Sequence, residues 1–192
     1  MHFKDFLITC AKFFGGSSIA SLATFIAMII LLRTLSLQEY GLLVYIQAVI
    51  LVVEGLCCSQ TWQVVIRYFG NDSFVYRKAL YLDLINAVLS LICLVILVYS
   101  SDFFEIPKLL LVIAGLILPF KMIGTWQGVA RVEGKLNLIT RHMQLVGGGK
   151  LLTALLTFFV ELSVMDILCI FSFFEIAGAV FFVYWCDPKA YV

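Results

Sequence analysis

Residues 13–32 read Phe-Phe-Gly-Gly-Ser-Ser-Ile-Ala-Ser-Leu-Ala-Thr-Phe-Ile-Ala-Met-Ile-Ile-Leu-Leu, twenty positions without a charge, and Arg33 closes the run. A bilayer core of about 30 Å takes about 20 mostly apolar helical residues to cross. Lys4 and Lys12 precede the run, as in a secretory signal, but it exceeds the roughly 7–15 residues of a cleaved apolar region. It reads as an uncleaved first span. Further apolar stretches follow at roughly 41–66, 80–100, 107–128, 143–161 and 166–186. Polar joints separate them: Ser36-Leu37-Gln38-Glu39, Gly70-Asn71-Asp72, Ser101-Asp102, a basic segment 131–142, and Asp187-Pro188 at the end. Pro107 opens the fourth stretch, where a helix's first turn tolerates it.

Composition agrees. Apolar residues make up 63% of the 192-residue chain and charged residues 13%, against roughly 45–50% and 25% in soluble domains. A water-soluble fold of this size would expose large apolar patches. Backbone donors cannot stay unpaired in lipid, and 20-residue apolar runs lack the alternation of barrel strands. The expected fold is therefore all-α: a single domain, residues 1–192, of six transmembrane helices. A net charge of +1 gives no field that would gather nucleic acid.

Basic residues fall on alternate joints. Lys4, Lys12, Arg67, Arg77, Lys78, Arg131, Lys135, Arg141 and Lys189 lie on the side of the N-terminus, and Arg33 and Lys108 on the other, nine against two. That bias marks the N-terminal side as cytoplasmic, so both ends are expected inside. Asp102, Glu105, Glu161 and Asp166 gather at the opposite face. Tyr40, Tyr68, Tyr81, Tyr99, Trp126, Tyr184 and Trp185, near span ends, suit interfacial anchors.

Small residues mark packing seams: Gly15-Gly16-Ser17-Ser18 with Ala20 and Ala23, Ala114-Gly115, Gly124 with Gly128, and Ala177-Gly178-Ala179. The run Gly147-Gly148-Gly149 exceeds what packing requires and predicts a kink or an unwound turn, since each glycine weakens a helix by roughly 1 kcal/mol. The six cysteines (Cys10, Cys57, Cys58, Cys93, Cys169, Cys186) have no metal-ligand spacing and read as small packing residues. His2 and His142 are far apart and near no cysteine cluster.

Ionisable groups inside spans are expensive and carry a functional hypothesis by default. Lys121 follows Pro119 by two positions and stands about eight residues, roughly 12 Å, from the cytoplasmic end of span four. It can snorkel, face a watery cavity or pair with a carboxylate. Glu54 and Gln47 are seven apart and share one face of span two. With Gln60, Asp83, Asn86, Lys150 and Glu175 they form a polar set on helices two to six. The set fits a substrate cavity, with Glu54 or Glu175 able to pair with Lys121 or Lys150, or else a group of interhelical hydrogen bonds. No hydrolase, zinc-protease or phosphate-loop motif is present; Gly147-Gly148-Gly149-Lys150 is followed by Leu and lacks the loop's spacing. Neither an enzyme nor a cofactor is expected.

The stretch 29–42, Ile-Ile-Leu-Leu-Arg-Thr-Leu-Ser-Leu-Gln-Glu-Tyr-Gly-Leu, resembles the first-loop signature of the polysaccharide (O-antigen and teichoic-type) flippases in the multidrug/oligosaccharidyl-lipid/polysaccharide exporter superfamily. There a basic residue ends helix one and Leu-Ser/Gly-x-Glu-Tyr-Gly opens helix two, matching Arg33, Glu39, Tyr40 and Gly41. The joint Gly128–Lys135, and Gly55 followed by Arg67, look like weaker echoes. The resemblance implies a role in moving lipid-diphosphate-linked oligosaccharide across the inner membrane for cell-surface polysaccharide, lipopolysaccharide among them. It implies alternating access between two six-helix lobes, with cavity cations (Lys121, Lys150, and Arg33 or Arg67) meeting the diphosphate. Only the N-terminal lobe is expected in this chain, so a second lobe or self-association is the expected partner besides the bilayer and the glycan lipid. Other expectations are a non-transporting remnant or assembly subunit, and a drug or ion exporter using Glu54 and Glu175 as proton sites.

Overall fold

The computed structural model describes residues 3–68, 74–101 and 107–186. Asp102, Glu105 and Lys189, used for orientation, lie outside them, as do His2, the Gly70-Asn71-Asp72 turn and the Asp187-Pro188 end. Among the described residues the elements are helices alone: α1 Phe3–Thr34, α2 Leu37–Cys57, α3 Thr61–Tyr68, α4 Phe74–Ser100, α5 Lys108–Gly115, α6 Leu118–Lys121, α7 Gly124–Val132, α8 Leu136–Leu156 and α9 Val164–Trp185.

Five helical segments are long and apolar enough to cross a membrane: Ala11–Thr34, Leu37–Tyr68, Val75–Ser100, Lys108–Val132 and Val164–Trp185. Their outward residues are apolar, with Phe25, Leu51, Ile96 and Val180 all more than half exposed, the surface that lipid rather than water solvates. The expected fifth span, 143–161, is the exception. Its helix, α8, starts earlier and ends at Leu156, and with Arg141, Gln144, three glycines and Lys150 it does not reach the apolarity of the others.

α8 is instead the most packed-upon element, held between α1 and α9. It runs parallel to α1: Gly16 lies against Thr140, Gly147 against Ala20, and Thr157 donates to Thr34 at 3.1 Å. The glycine run is neither kinked nor unwound, contrary to the sequence expectation; α8 is continuous through it. A Cβ on Gly147 would come within 2.6 Å of the Ala20 carbonyl oxygen, and one on Gly149 would strike the Phe174 ring of α9. Residues two apart on a helix face nearly opposite ways. Each glycine therefore serves a different neighbour, and close backbone approach is its function.

Two apolar stretches expected as continuous spans are broken. α2 stops at Cys57 and α3 begins at Thr61, with Gln60 at φ 49° between them. Pro119 lacks the N–H that would continue the helix onto Gly115, so α5 gives way to the four-residue α6, and a second break at Met122-Ile123 precedes α7. The two lower halves, α3 and α7, pack tightly, because Gly124 sits against Thr61 and Gly128 against Trp62 and Val65.

Apolar packing falls into three clusters. The larger core joins Leu31, Leu43, Ile46, Leu111, Leu118 and Ile167. Beyond the breaks lie two smaller ones, around Ile139, Ala179 and Phe182 and around Val65, Tyr76 and Val129.

Candidate functional site: a polar layer between two apolar cores

Four of the five ionisable groups predicted inside spans, Glu54, Lys121, Lys150 and Glu175, occupy the level between these cores. Lys121 is the last residue of α6, where a cation meets the unsatisfied carbonyls of a helix end. Its Nζ donates to Glu54 Oε2 at 2.6 Å, and Glu54 stands three residues before the end of α2. Of the three options open to Lys121, the carboxylate partner is realised, and the same side chain also borders a cavity. The second pair is Lys150 Nζ to Glu175 Oε1 at 3.0 Å, between α8 and α9. Glu175 is eleven residues past Val164, about 17 Å along α9 and so at its middle. The Lys150 ammonium also lies 5.9 Å from the centre of the Phe171 ring, a cation–π contact.

The pairs adjoin one another. A cavity of about 350 Å³ is lined by Gln47, Lys121, Lys150, Phe171, Ser172 and Glu175, among others. This is the scale of small-molecule sites. A smaller one of about 130 Å³ is bordered by Glu54, Lys121, Gln127, His142 and Glu175, room for a few waters. Half-buried charges at this depth persist because each has an opposite partner and some hydration; an isolated one would be costly.

Five of the eight predicted cavity residues are thus brought together: Gln47, Glu54, Lys121, Lys150 and Glu175. The other three are placed elsewhere. Asp83 and Asn86, one turn apart on α4, clamp the two helix breaks. Asp83 accepts from the Thr61 hydroxyl at the start of α3 and, at 2.8 Å, from the Thr125 amide at the start of α7; Asn86 donates to Ser59 Oγ at 2.6 Å. The carboxylate satisfies one orphan amide, that of Thr125, and beside two helix N-termini it also meets the positive ends of their dipoles. Gln60 is exposed in the break and accepts from its own neighbour Gln63.

Sequence reasoning passed over His142 and Gln127. His142 shares α8 with Lys150, eight residues earlier, and its position on the helix face that carries Lys150 was the available signal. Its Nδ1 is buried with no hydrogen-bond partner among the described residues.

The loop-signature residues do something different again. Ser36 caps α2 by accepting from the Glu39 amide, and the Glu39 carboxylate accepts from Ser36 N at 3.0 Å and Oγ at 2.6 Å. This is a capping box, repeated by Ser163 and Asp166 at the start of α9. Arg33 is exposed in the last turn of α1, Tyr40 is half-buried against the larger core, and Gly41 is exposed. The motif therefore builds a helix start, away from the polar layer.

No family model, curated protein or solved structure matches the chain.

Proposed function

We propose that the chain is a six-span lobe of an inner-membrane translocator for lipid-diphosphate-linked oligosaccharide, with both ends cytoplasmic, working with a second lobe or a second copy. The observation that carries this reading is the pair of lysines held by carboxylates in one open cavity halfway through the helices. Glu54 and Glu175 pair with Lys121 and Lys150 in this layer. An arriving diphosphate can take the carboxylates' place, and its charges interact more strongly there than in water. The broken helices α2–α3 and α5–α7 beside the cavity suit a lobe that changes shape around a midplane site.

α8 is the fifth of the six spans in this reading, the one added to the five that length and apolarity mark out. Its 21 residues cover about 31 Å, and its parallel course beside α1 carries it through the same depth. Protein on both flanks stands in for the apolarity it lacks.

The test is glycan export in a flippase-deficient strain that supplies the partner lobe. Lys121→Ala and Lys150→Ala should each reduce export while membrane insertion persists. Unchanged export by both would end the proposal, and no export by the wild-type chain with any partner would favour a non-transporting subunit. A second reading has one observation behind it: carboxylates equal lysines in this layer, so a cation or proton can displace a lysine as readily as an anion displaces a carboxylate. Drug efflux, with glycan export unaffected, would support that exporter instead.

A further inference from the structure

We propose a second binding site, separate from the central cavity, for the phosphate head group of an anionic lipid, between the N-terminal ends of α1 and α8. A cavity of about 440 Å³ opens there, lined by Lys12, Phe13, Asn137, Thr140, Arg141 and Gln144 together with Gly134 and Leu136. Both cations are exposed, and neither has a carboxylate within ion-pair distance among the described residues. Glu133, the acidic residue closest in sequence to Leu136, is held by Lys135 at 2.9 Å. This is the opposite of the central layer, where every lysine is matched by a glutamate. A polar hollow whose two cations have no carboxylate partner among the described residues, with Asn137, Thr140 and Gln144 beside them, suits an anion.

Two further features agree. Leu136 and Asn137, which line the hollow, are the first residues of α8, and no side chain caps that helix end, so the positive end of its dipole lies beside the hollow. The apolar wall is supplied by Phe13 and Leu136, and the adjoining outward face of α1 carries Phe14, Ile19 and Leu22, all more than half exposed. A lipid satisfies both halves, its phosphate among Lys12, Arg141 and Gln144 and its chains along α1. Free phosphate satisfies only the first. Basic hollows between spans at the cytoplasmic surface bind anionic head groups in this way.

The occupant has a structural consequence. α8 is the least apolar long helix, and a lipid bridging Lys12 to Arg141 would tie its entry end to α1, above the Gly16–Thr140 contact.

The experiment is lipid retention by the purified full chain, read by native mass spectrometry from neutral detergent, with phosphatidylglycerol, phosphatidylcholine and inorganic phosphate as probes. Phosphatidylglycerol should be retained over phosphatidylcholine. Lys12→Ala with Arg141→Ala should weaken that retention on the order of thirtyfold, at about 1 kcal/mol for each basic residue. Lys12→Arg with Arg141→Lys should keep it. Equal retention of both lipids by the wild-type chain, a comparison needing no variant, overturns the proposal. So does an unchanged preference in the double alanine variant. Displacement of phosphatidylglycerol by millimolar inorganic phosphate would identify a free-anion site and overturn the lipid assignment. Glycan export is not read here, so this site and the central cavity stand or fall separately.

Discussion

The Asp83 carboxylate of α4 accepts the backbone amide of Thr125, 42 positions later, at 2.8 Å while also holding the Thr61 hydroxyl. One side chain thereby fixes the resumption of two interrupted helices. Asp83→Ala leaves both donors without an acceptor in a buried place and should cost about 3 kcal/mol. Asp83→Asn, which can still accept one bond, should cost less. Thermal unfolding in detergent gives the order; a wild-type midpoint for Asp83→Ala would refute the clamp.

Neighbouring glycines of α8 should respond in opposite senses. Gly148 has nothing within 4 Å of a built Cβ, so Gly148→Ala should stabilise by about 0.5–1 kcal/mol through helix propensity. Gly147→Ala meets the backbone of Ala20, which cannot swing aside, and should destabilise by about 1–3 kcal/mol. Finding both substitutions equally tolerated would contradict the α1–α8 seam.

The Lys150–Glu175 pair should be worth more intact than halved. Lys150→Met alone leaves a mid-helix carboxylate without its cation and should cost about 2–3 kcal/mol. Adding Glu175→Leu should recover most of that loss. A double-mutant cycle on unfolding measures the coupling, and additive single effects would mean that the two side chains act independently.

Cys57 Sγ and Cys93 Sγ are 3.8 Å apart across α2 and α4, and both thiols are free. A disulfide needs about 2.05 Å, so closure takes a further approach of the two sulfurs. Mild oxidation of a Cys58→Ala, Cys169→Ala variant should therefore remove two alkylatable thiols, counted by mass spectrometry. Retention of both would place α2 and α4 differently.

Helical class and membrane character were legible from runs such as 13–32 because lipid leaves the chain few alternatives. The carboxylate partners of Lys121 and Lys150 were legible as a set, since a lone charge in a span demands one, but the pairing was not: Glu54 and Lys121 are 67 positions apart. Pro119 has the chemistry to interrupt the fourth stretch, yet that stretch was expected as one continuous span. Nothing local announces the break at 58–60, where Cys-Ser-Gln yields to hydrogen bonds supplied by Asp83 and Asn86. Asp83 itself looks the same in sequence whether it faces a substrate or a helix end. The glycine run misled for a similar reason, because propensity describes a helix alone, and α8 is never alone.

That last feature bears on how the protein is made. A segment carrying Arg141, Gln144 and Lys150 among three glycines partitions into lipid poorly by itself. Its two supporting neighbours are α1, synthesised more than a hundred residues before it, and α9, synthesised just after. In the proposed six-span lobe, α8 would depend for insertion on α9, which emerges after it, and on α1, which precedes it. On that reading, integration is an assembly event among α1, α8 and α9, and damage to the Ala20 seam would appear first as a failure of topology.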